Sequence, residues 1–369
     1  MKSNYNQLGQ YIEMVSRTNS DLKYGIEDVR GCSNTKQMMQ TRANLIGRTY
    51  EKFIVLRPQE FVFNRRTTRN GEKIGMAYNN TDREYIFTND YVAFRVKQEY
   101  LDKLLPDYLY MFFCRDEFDR YARYKSTGSA TEFFNWEDMC AVPFEIPPMD
   151  FQQLVVNAYK VLNERIETKQ KINDNLEAQA YSIYKEAIAF HEKNSKLSDI
   201  AQITMGTSPE GESFNSGGNG IVFYQGRTDF GFRFPTVRLY TTEPKRYADE
   251  GDILMSVRAP VGDINIAKEY CAIGRGLASI KPNNKCYSYL YYTMMNLNFE
   301  LKKFNDEGTV FGSITKNDLF DLEVVVLSDD ETLTFEREVS IIDKAILNNE
   351  IEIQKMQEMT SLLLSKLTD

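Results

Sequence analysis

The octapeptide PDYLYMFF (Pro106–Phe113) is answered 181 residues later by YSYLYYTM (Tyr287–Met294), which aligns Tyr108, Leu109 and Tyr110 with Tyr289, Leu290 and Tyr291. Further along, the offset settles at 180, pairing Gly128 with Gly308, Asp138 with Asp318, Met139 with Leu319 and the run 144–146 with 324–326. Upstream, EFVFNRR (Glu60–Arg66) lies over DILMSVR (Asp252–Arg258), so Arg66 matches Arg258. A period this long is not that of a solenoid, whose units run to roughly 20–50 residues. It predicts one domain-sized fold written twice.

Each copy runs into a helix. Asp150 and Asp330 stand at equivalent positions after strand-like segments and suit N-caps, because a short acceptor side chain satisfies first-turn amides. Beyond them apolar residues recur at alternating steps of four and three. In the first stretch these are Val155, Tyr159, Leu162, Ile166, Leu176, Ala180, Ile183 and Ala187; in the second, Phe335, Val339, Ile342, Ile346, Ile353, Met356, Leu363 and Leu367. That spacing is a heptad seam and predicts a coiled coil. Lys169, Asn173 and Asn349 interrupt it, as polar seam residues that set register do. A helix over 150–190 rises about 60 Å at 1.5 Å per residue, which makes it a spacer. Antiparallel packing of the second helix along it relates the copies by a pseudo-twofold axis. The expected architecture is mixed α/β (α+β): a first domain over 1–149, a spacer helix over 150–190, a second domain over 191–329 and a second helix over 330–369.

Composition bounds the function. The 369 residues include 13% aromatics and carry a net charge of −8, which by itself disfavours an acidic partner such as nucleic acid. The charge is regional, however. From Lys36 to Lys73 nine basic residues (Lys36, Arg42, Arg48, Lys52, Arg57, Arg65, Arg66, Arg69, Lys73) face three acidic ones (Glu51, Glu60, Glu72), and from Arg227 to Arg246 five face two. Five scattered cysteines without ligand spacing, an amino terminus lacking an apolar signal core and the absence of a long apolar run read as a reduced, cytoplasmic chain with no membrane association. The single histidine, His191, reads as an exposed linker residue. It leaves little basis for a Ser-His or Cys-His nucleophile, or for a zinc site built on Cys and His.

No Walker motif occurs, and GRGLAS (Gly274–Ser279) lacks the helix start and acidic partner that a dinucleotide loop needs. Asp229, Glu243 and Lys245 form a nuclease-like acid-acid-lysine set that the first copy does not repeat. What remains is loop chemistry suited to DNA. FYQGRTDFGFRF (Phe223–Phe234) supplies Gln225, Arg227, Thr228 and Arg233, FNRRTTRNGEK (Phe63–Lys73) supplies Arg65, Arg66, Arg69 and Lys73, and Arg258 leaves a strand at a Pro-Val-Gly turn. Lys125 and Lys316 lie near the domain ends.

ITMGTSP (Ile203–Pro209), EGDILMSVRAPVG (Glu250–Gly262), VFGSITKNDLFDLEVVV (Val310–Val326) and FNWEDMCAVPFEIPPMDFQQLV (Phe134–Val155) occur in an order that resembles the specificity subunits of type I restriction-modification systems. Domain one departs from the pattern, since VSRTNSDLKYGIEDV (Val15–Val29) has no clear Gly-Thr-x-Pro match. The resemblance implies two target-recognition domains, each reading half of a split double-stranded DNA sequence, with the helices setting the unread gap. It also implies a non-catalytic chain that recruits two methyltransferase subunits and joins restriction subunits, with S-adenosylmethionine, ATP and magnesium held by those partners and no cofactor or metal in this chain. The alternatives from the residues alone are a coiled-coil protein scaffold and a self-contained metal-dependent nuclease.

Overall fold

The computed structural model describes residues 6–41, 45, 47–66, 73–127, 132–305 and 312–367. The chain divides into two compact units, Met1–Thr168 with Glu352–Asp369, and Lys169–Ile351. Each long helix, Met149–Ile188 and Asp329–Ser365, is shared between the two.

The repeat is visible in strand order. Unit 1 holds a four-stranded antiparallel sheet in the order Ile12–Val15, Tyr91–Val96, Phe61–Asn64, Met76–Tyr78. Unit 2 holds Ala201–Met205, Leu277–Pro282, Ile253–Ser256, Ile264–Ile266 in the same order and sense. In both, the third strand of that order is buried on its two faces, which explains its unbroken apolar run. Phe61 and Phe63 point into one core and Val62 into another; Ile253 and Met255 do the same opposite Leu254.

One face packs on the helix formed by the repeated octapeptide, Pro106–Phe113 or Tyr287–Asn296. The copies fill it differently. Unit 1 uses rings, with Phe61 stacked on Phe94 at 5.0 Å and Phe63 against Phe134 at 5.9 Å, whereas unit 2 uses Ile253, Met255, Ala278 and Ile280. In unit 2 the other face is covered by a five-stranded sheet, in which Phe223–Tyr224 pairs parallel to Ala272–Ile273. The short helices Trp136–Cys140 and Lys316–Phe320 open on matched capping boxes, Asn135 with Asp138 and Thr315 with Asp318. Of the aligned pairs, Gly128 and Gly308 lie outside the described residues.

The N-cap expectation needs correction. The long helices begin at Met149 and Asp329, so Asp150 and Asp330 fall within the first turn, where their charge suits the helix dipole. The cap of the second is Ser328, whose backbone amide and hydroxyl both donate to Glu331 (2.9 and 2.6 Å).

The seam positions differ in burial. Val155, Ile166, Val339, Ile346 and Ile353 are buried, and Leu162, Leu176, Ile183, Ile342 and Leu363 half-buried. Within unit 2 the two helix segments run antiparallel, Tyr184 meeting Phe335 at one end and Asn173 meeting Asn349 at the other. The polar seam residues satisfy one another: Lys169 Nζ donates to Asn349 Oδ1 (2.9 Å), Asn349 Nδ2 to Asn173 Oδ1 (2.8 Å), and Asn173 Nδ2 to Glu350 Oε1 (2.8 Å). His191 is half-buried rather than exposed, 3.5 Å from Glu331.

Candidate nucleic-acid interface

Both paired arginines leave their strands with the backbone bridged to a neighbouring segment. In unit 1 the amide of Phe134 donates to the carbonyl of Arg65 (2.9 Å), and Arg66 bridges Phe133. In unit 2 the amide of Ile314 donates to Val257 (3.1 Å), Arg258 bridges Ser313, and the amide of Ala259 donates to Gly312 (3.0 Å). The backbone is thus tied on both sides of Arg258 and on the strand side of Arg66, while both side chains stay exposed. Arg66 lies 3.3 Å from Asp90, with both groups largely in solvent. The turn after Arg258 contains a cis Ala259–Pro260 bond, and Ser256 Oγ donates to the Pro260 carbonyl (2.7 Å). Gly262 closes it at φ +95°, where a Cβ would also lie 2.7 Å from Leu301 Cβ, so only glycine fits.

Three further loops of unit 2 are tied to this turn. Val257 donates to the carbonyl of Gly276 (3.0 Å), and Gly274 to that of Tyr224 (2.8 Å). Gly206 and Thr207 donate to Leu277 and Ile273 (2.9 and 3.1 Å). A Cβ on Gly206 would lie 2.2 Å from the Gly274 carbonyl, so the close approach exists because Gly206 lacks a side chain. The loop at 225–229 is organised by buried Asp229, which accepts the amides of Gln225 (2.7 Å) and Gly226 (3.3 Å) and the Nε of Arg238 (2.8 Å). Arg227 reaches across to Asp263 at 2.5 Å. The exposed donors on these linked loops are Thr207, Gln225, Arg227, Thr228, Arg238, Arg258 and Arg275. Guanidinium and amide groups of this kind form bidentate pairs with base edges or phosphates.

Arg233 does not belong to this surface. It is fully buried: its guanidinium pairs with Asp343 (2.7 Å), bonds the Tyr292 hydroxyl (3.1 Å) and covers the Tyr291 ring at 4.1 Å, with Glu177 at 4.0 Å. The reason is the tight turn at Gly231–Phe234, which sends the side chain inward to helix carboxylates. Lys36 is likewise removed from the basic stretch. Its ammonium is buried against Asp119 and the Ile74 carbonyl (3.1 Å), and burial pulls its pKa down while Asp119 partly offsets the shift.

Of the remaining candidates, Arg65 is exposed, Lys73 is exposed near Asp116 (3.7 Å), Lys125 is half-buried beside the Tyr121 ring, and Lys316 is exposed over Phe320 (4.8 Å). Arg69 lies outside the described residues. The nuclease-like set is differently employed, since Asp229 organises its loop and Lys245 pairs with Glu210 (2.9 Å). Among the described residues no acidic, Cys or His group is arranged to hold a metal, and no helix is long and apolar enough to cross a membrane.

Sequence reasoning passed over Arg238 and Arg275. Arg275 carried a signal in its flanking glycines, which let the 225–226 backbone approach and leave the arginine outermost. Arg238 carried none, because its place depends on a partner nine residues away.

Known proteins share both the repeat and the fold. The type I restriction modification DNA specificity domain matches residues 33–178 and again 192–360. A type I restriction enzyme MjaX specificity subunit from Methanocaldococcus jannaschii is 30% identical over 253 residues, which are 60% of this chain and 58% of that protein. The chain therefore spans under two thirds of this relative's length. The crystal structure of a type I restriction-modification S subunit from M. genitalium shares the fold, with a TM-score of 0.56 at 15% identity over 100% of this chain and 97% of that one. An HsdS subunit from Thermoanaerobacter tengcongensis aligns over 98% and 95% of the two chains at 23% identity, with a TM-score of 0.39. A double match covering most of the sequence, falling once in each repeat, places this chain in the type I restriction-modification DNA specificity family.

Proposed function

We propose that the chain is the DNA-recognition subunit of a type I restriction-modification complex and that each repeat reads one half of a bipartite double-stranded target. The observation that carries this reading is the matched exit of Arg66 and Arg258, both exposed and backbone-tied at equivalent points of repeated sheets. An arginine whose backbone is held in this way loses little backbone freedom on binding, and that preorganisation favours specific recognition. In unit 2 Gln225, Arg227, Arg238 and Arg275 extend the surface; in unit 1 Arg65 and Lys73 do. Local basic loops account for DNA affinity in a chain of net charge −8.

The chain carries no catalysis in this reading. It recruits methyltransferase subunits, two by the symmetry of the repeat, and restriction subunits, which supply the S-adenosylmethionine and the ATP and magnesium chemistry. The paired helices set the unread gap between half-sites. The assembled complex acts in the cytoplasm, where its DNA lies.

The test is Arg66→Ala and Arg258→Ala in the complex reconstituted with its methyltransferase, read by binding and by mapping adenine methylation. Removing an arginine that reads a base costs about 1–3 kcal/mol and relaxes one position, while removing one that grips a phosphate weakens all sequences and lowers the salt slope by about one. Unchanged binding by both variants refutes the assignment.

A further inference from the structure

Unit 1 contains a groove of about 880 Å³ bounded by the first long helix, the helix Pro106–Phe113 and the loop Asn79–Asp82. Tyr110, Met111 and Asn163 line it. Their repeat counterparts, at offsets of 181 and 180, are Tyr291, Tyr292 and Asp343, the residues that enclose Arg233 in unit 2. The same place in the fold is therefore filled by an arginine in one copy and left as an open groove in the other.

The groove's chemistry also favours a cation. Tyr110 stacks on Tyr78 (5.4 Å) and meets Tyr159 edge-on (6.5 Å), forming an aromatic floor. Four carboxylates line it: Asp82, Asp107, Glu164 and Glu167. Both lysines of the lining are already engaged, Lys160 with Asp107 (2.9 Å) and Lys36 with Asp119. Asp82, Glu164 and Glu167 are exposed at the rim and have no ion pair among the described residues. An aromatic floor under surplus carboxylates is the setting in which a guanidinium binds by cation–π and charge-assisted hydrogen bonds. The volume exceeds that of one side chain and admits the backbone that presents it.

We infer that this groove is a docking socket for an arginine-bearing loop of a partner polypeptide, which completes in unit 1 the interaction that Arg233 makes internally in unit 2. The naming of the partner rests on the reading above, in which it is a methyltransferase subunit. The arginine preference of the groove does not depend on that reading.

The probe is a fluorescein-labelled peptide copying the chain's own plug, Gly-Phe-Arg-Phe-Pro, with a glutamine analogue, titrated into the full chain and followed by anisotropy. The arginine peptide is expected to bind at least tenfold more tightly than the glutamine peptide. Glu164→Gln with Glu167→Gln, both at exposed positions, should abolish that difference while DNA binding by the same protein persists. Equal binding of the two peptides to the unaltered chain, or an unchanged preference in the double variant, overturns the socket. The methyltransferase should displace the arginine peptide; a methyltransferase that binds the chain and leaves the peptide in place overturns the partner assignment. Failure of DNA binding with the peptide preference intact counts against the recognition reading alone.

Discussion

Replacing Arg233 by alanine should destabilise unit 2 selectively, because of what its guanidinium holds. The guanidinium is buried, and its loss strands Asp343 and Glu177, whose side chains are 19% and 17% exposed. Removing one partner of a buried ion pair costs about 3–5 kcal/mol, and the residual solvent exposure of both carboxylates argues for the lower end, about 3 kcal/mol. With a urea m-value of about 2 kcal/mol/M, the midpoint should fall by about 1.5 M. Cys271 and Cys286 are free, buried and both in unit 2, while the free Cys32, Cys114 and Cys140 lie in unit 1, so thiol labelling in urea resolved peptide by peptide separates the two transitions.

The penalty should also depend on pH. Burial raises the Glu177 carboxyl even with Arg233 pulling it down. A raised folded-state pKa stabilises below the unfolded carboxylate range, and that contribution is lost as pH rises through the folded value. Without Arg233 the Glu177 carboxyl rises further, so the variant should regain part of its stability between about pH 7.5 and pH 5. A midpoint shift under about 0.5 M, or the same shift at both pH values, refutes the clamp.

Asp229→Ala should leave the Gln225 and Gly226 amides unpaired, destabilise the loop by about 2 kcal/mol and speed amide exchange at 225–229, with DNA binding weakened. Unchanged exchange would show that the loop holds without it. Gly206→Ala should cost about 1–3 kcal/mol by driving apart the loops at 206 and 274, whereas Gly25→Ala, with open space around it, should be nearly neutral; thermal melts distinguish them. Four residues inserted beside Asn173 add about 6 Å of helix and should lengthen the unread gap in methylation maps by about two base pairs without changing either half-site. An unaltered gap defeats the spacer reading.

The repeat was legible because its two copies align residue for residue in the sequence, and the long helices and their seam because they rest on local periodicity. A heptad of apolar side chains has one way to leave water, and residues such as Val155 and Val339 declare it in their spacing alone. The matched Arg66 and Arg258 were legible for the same reason, since a strand-to-turn exit is encoded by its neighbours in sequence. Tertiary structure decided which cations face solvent. Arg233 sits in the same loop as Arg227, but its fate was settled by Tyr292 and Asp343, 59 and 110 residues away. Lys36 was drawn inward by Asp119, 83 residues on, and Arg275 was turned outward by loops that meet only in the folded domain. Charge carries no periodicity, so the side on which an arginine emerges depends on where the carboxylates and rings of distant segments come to rest.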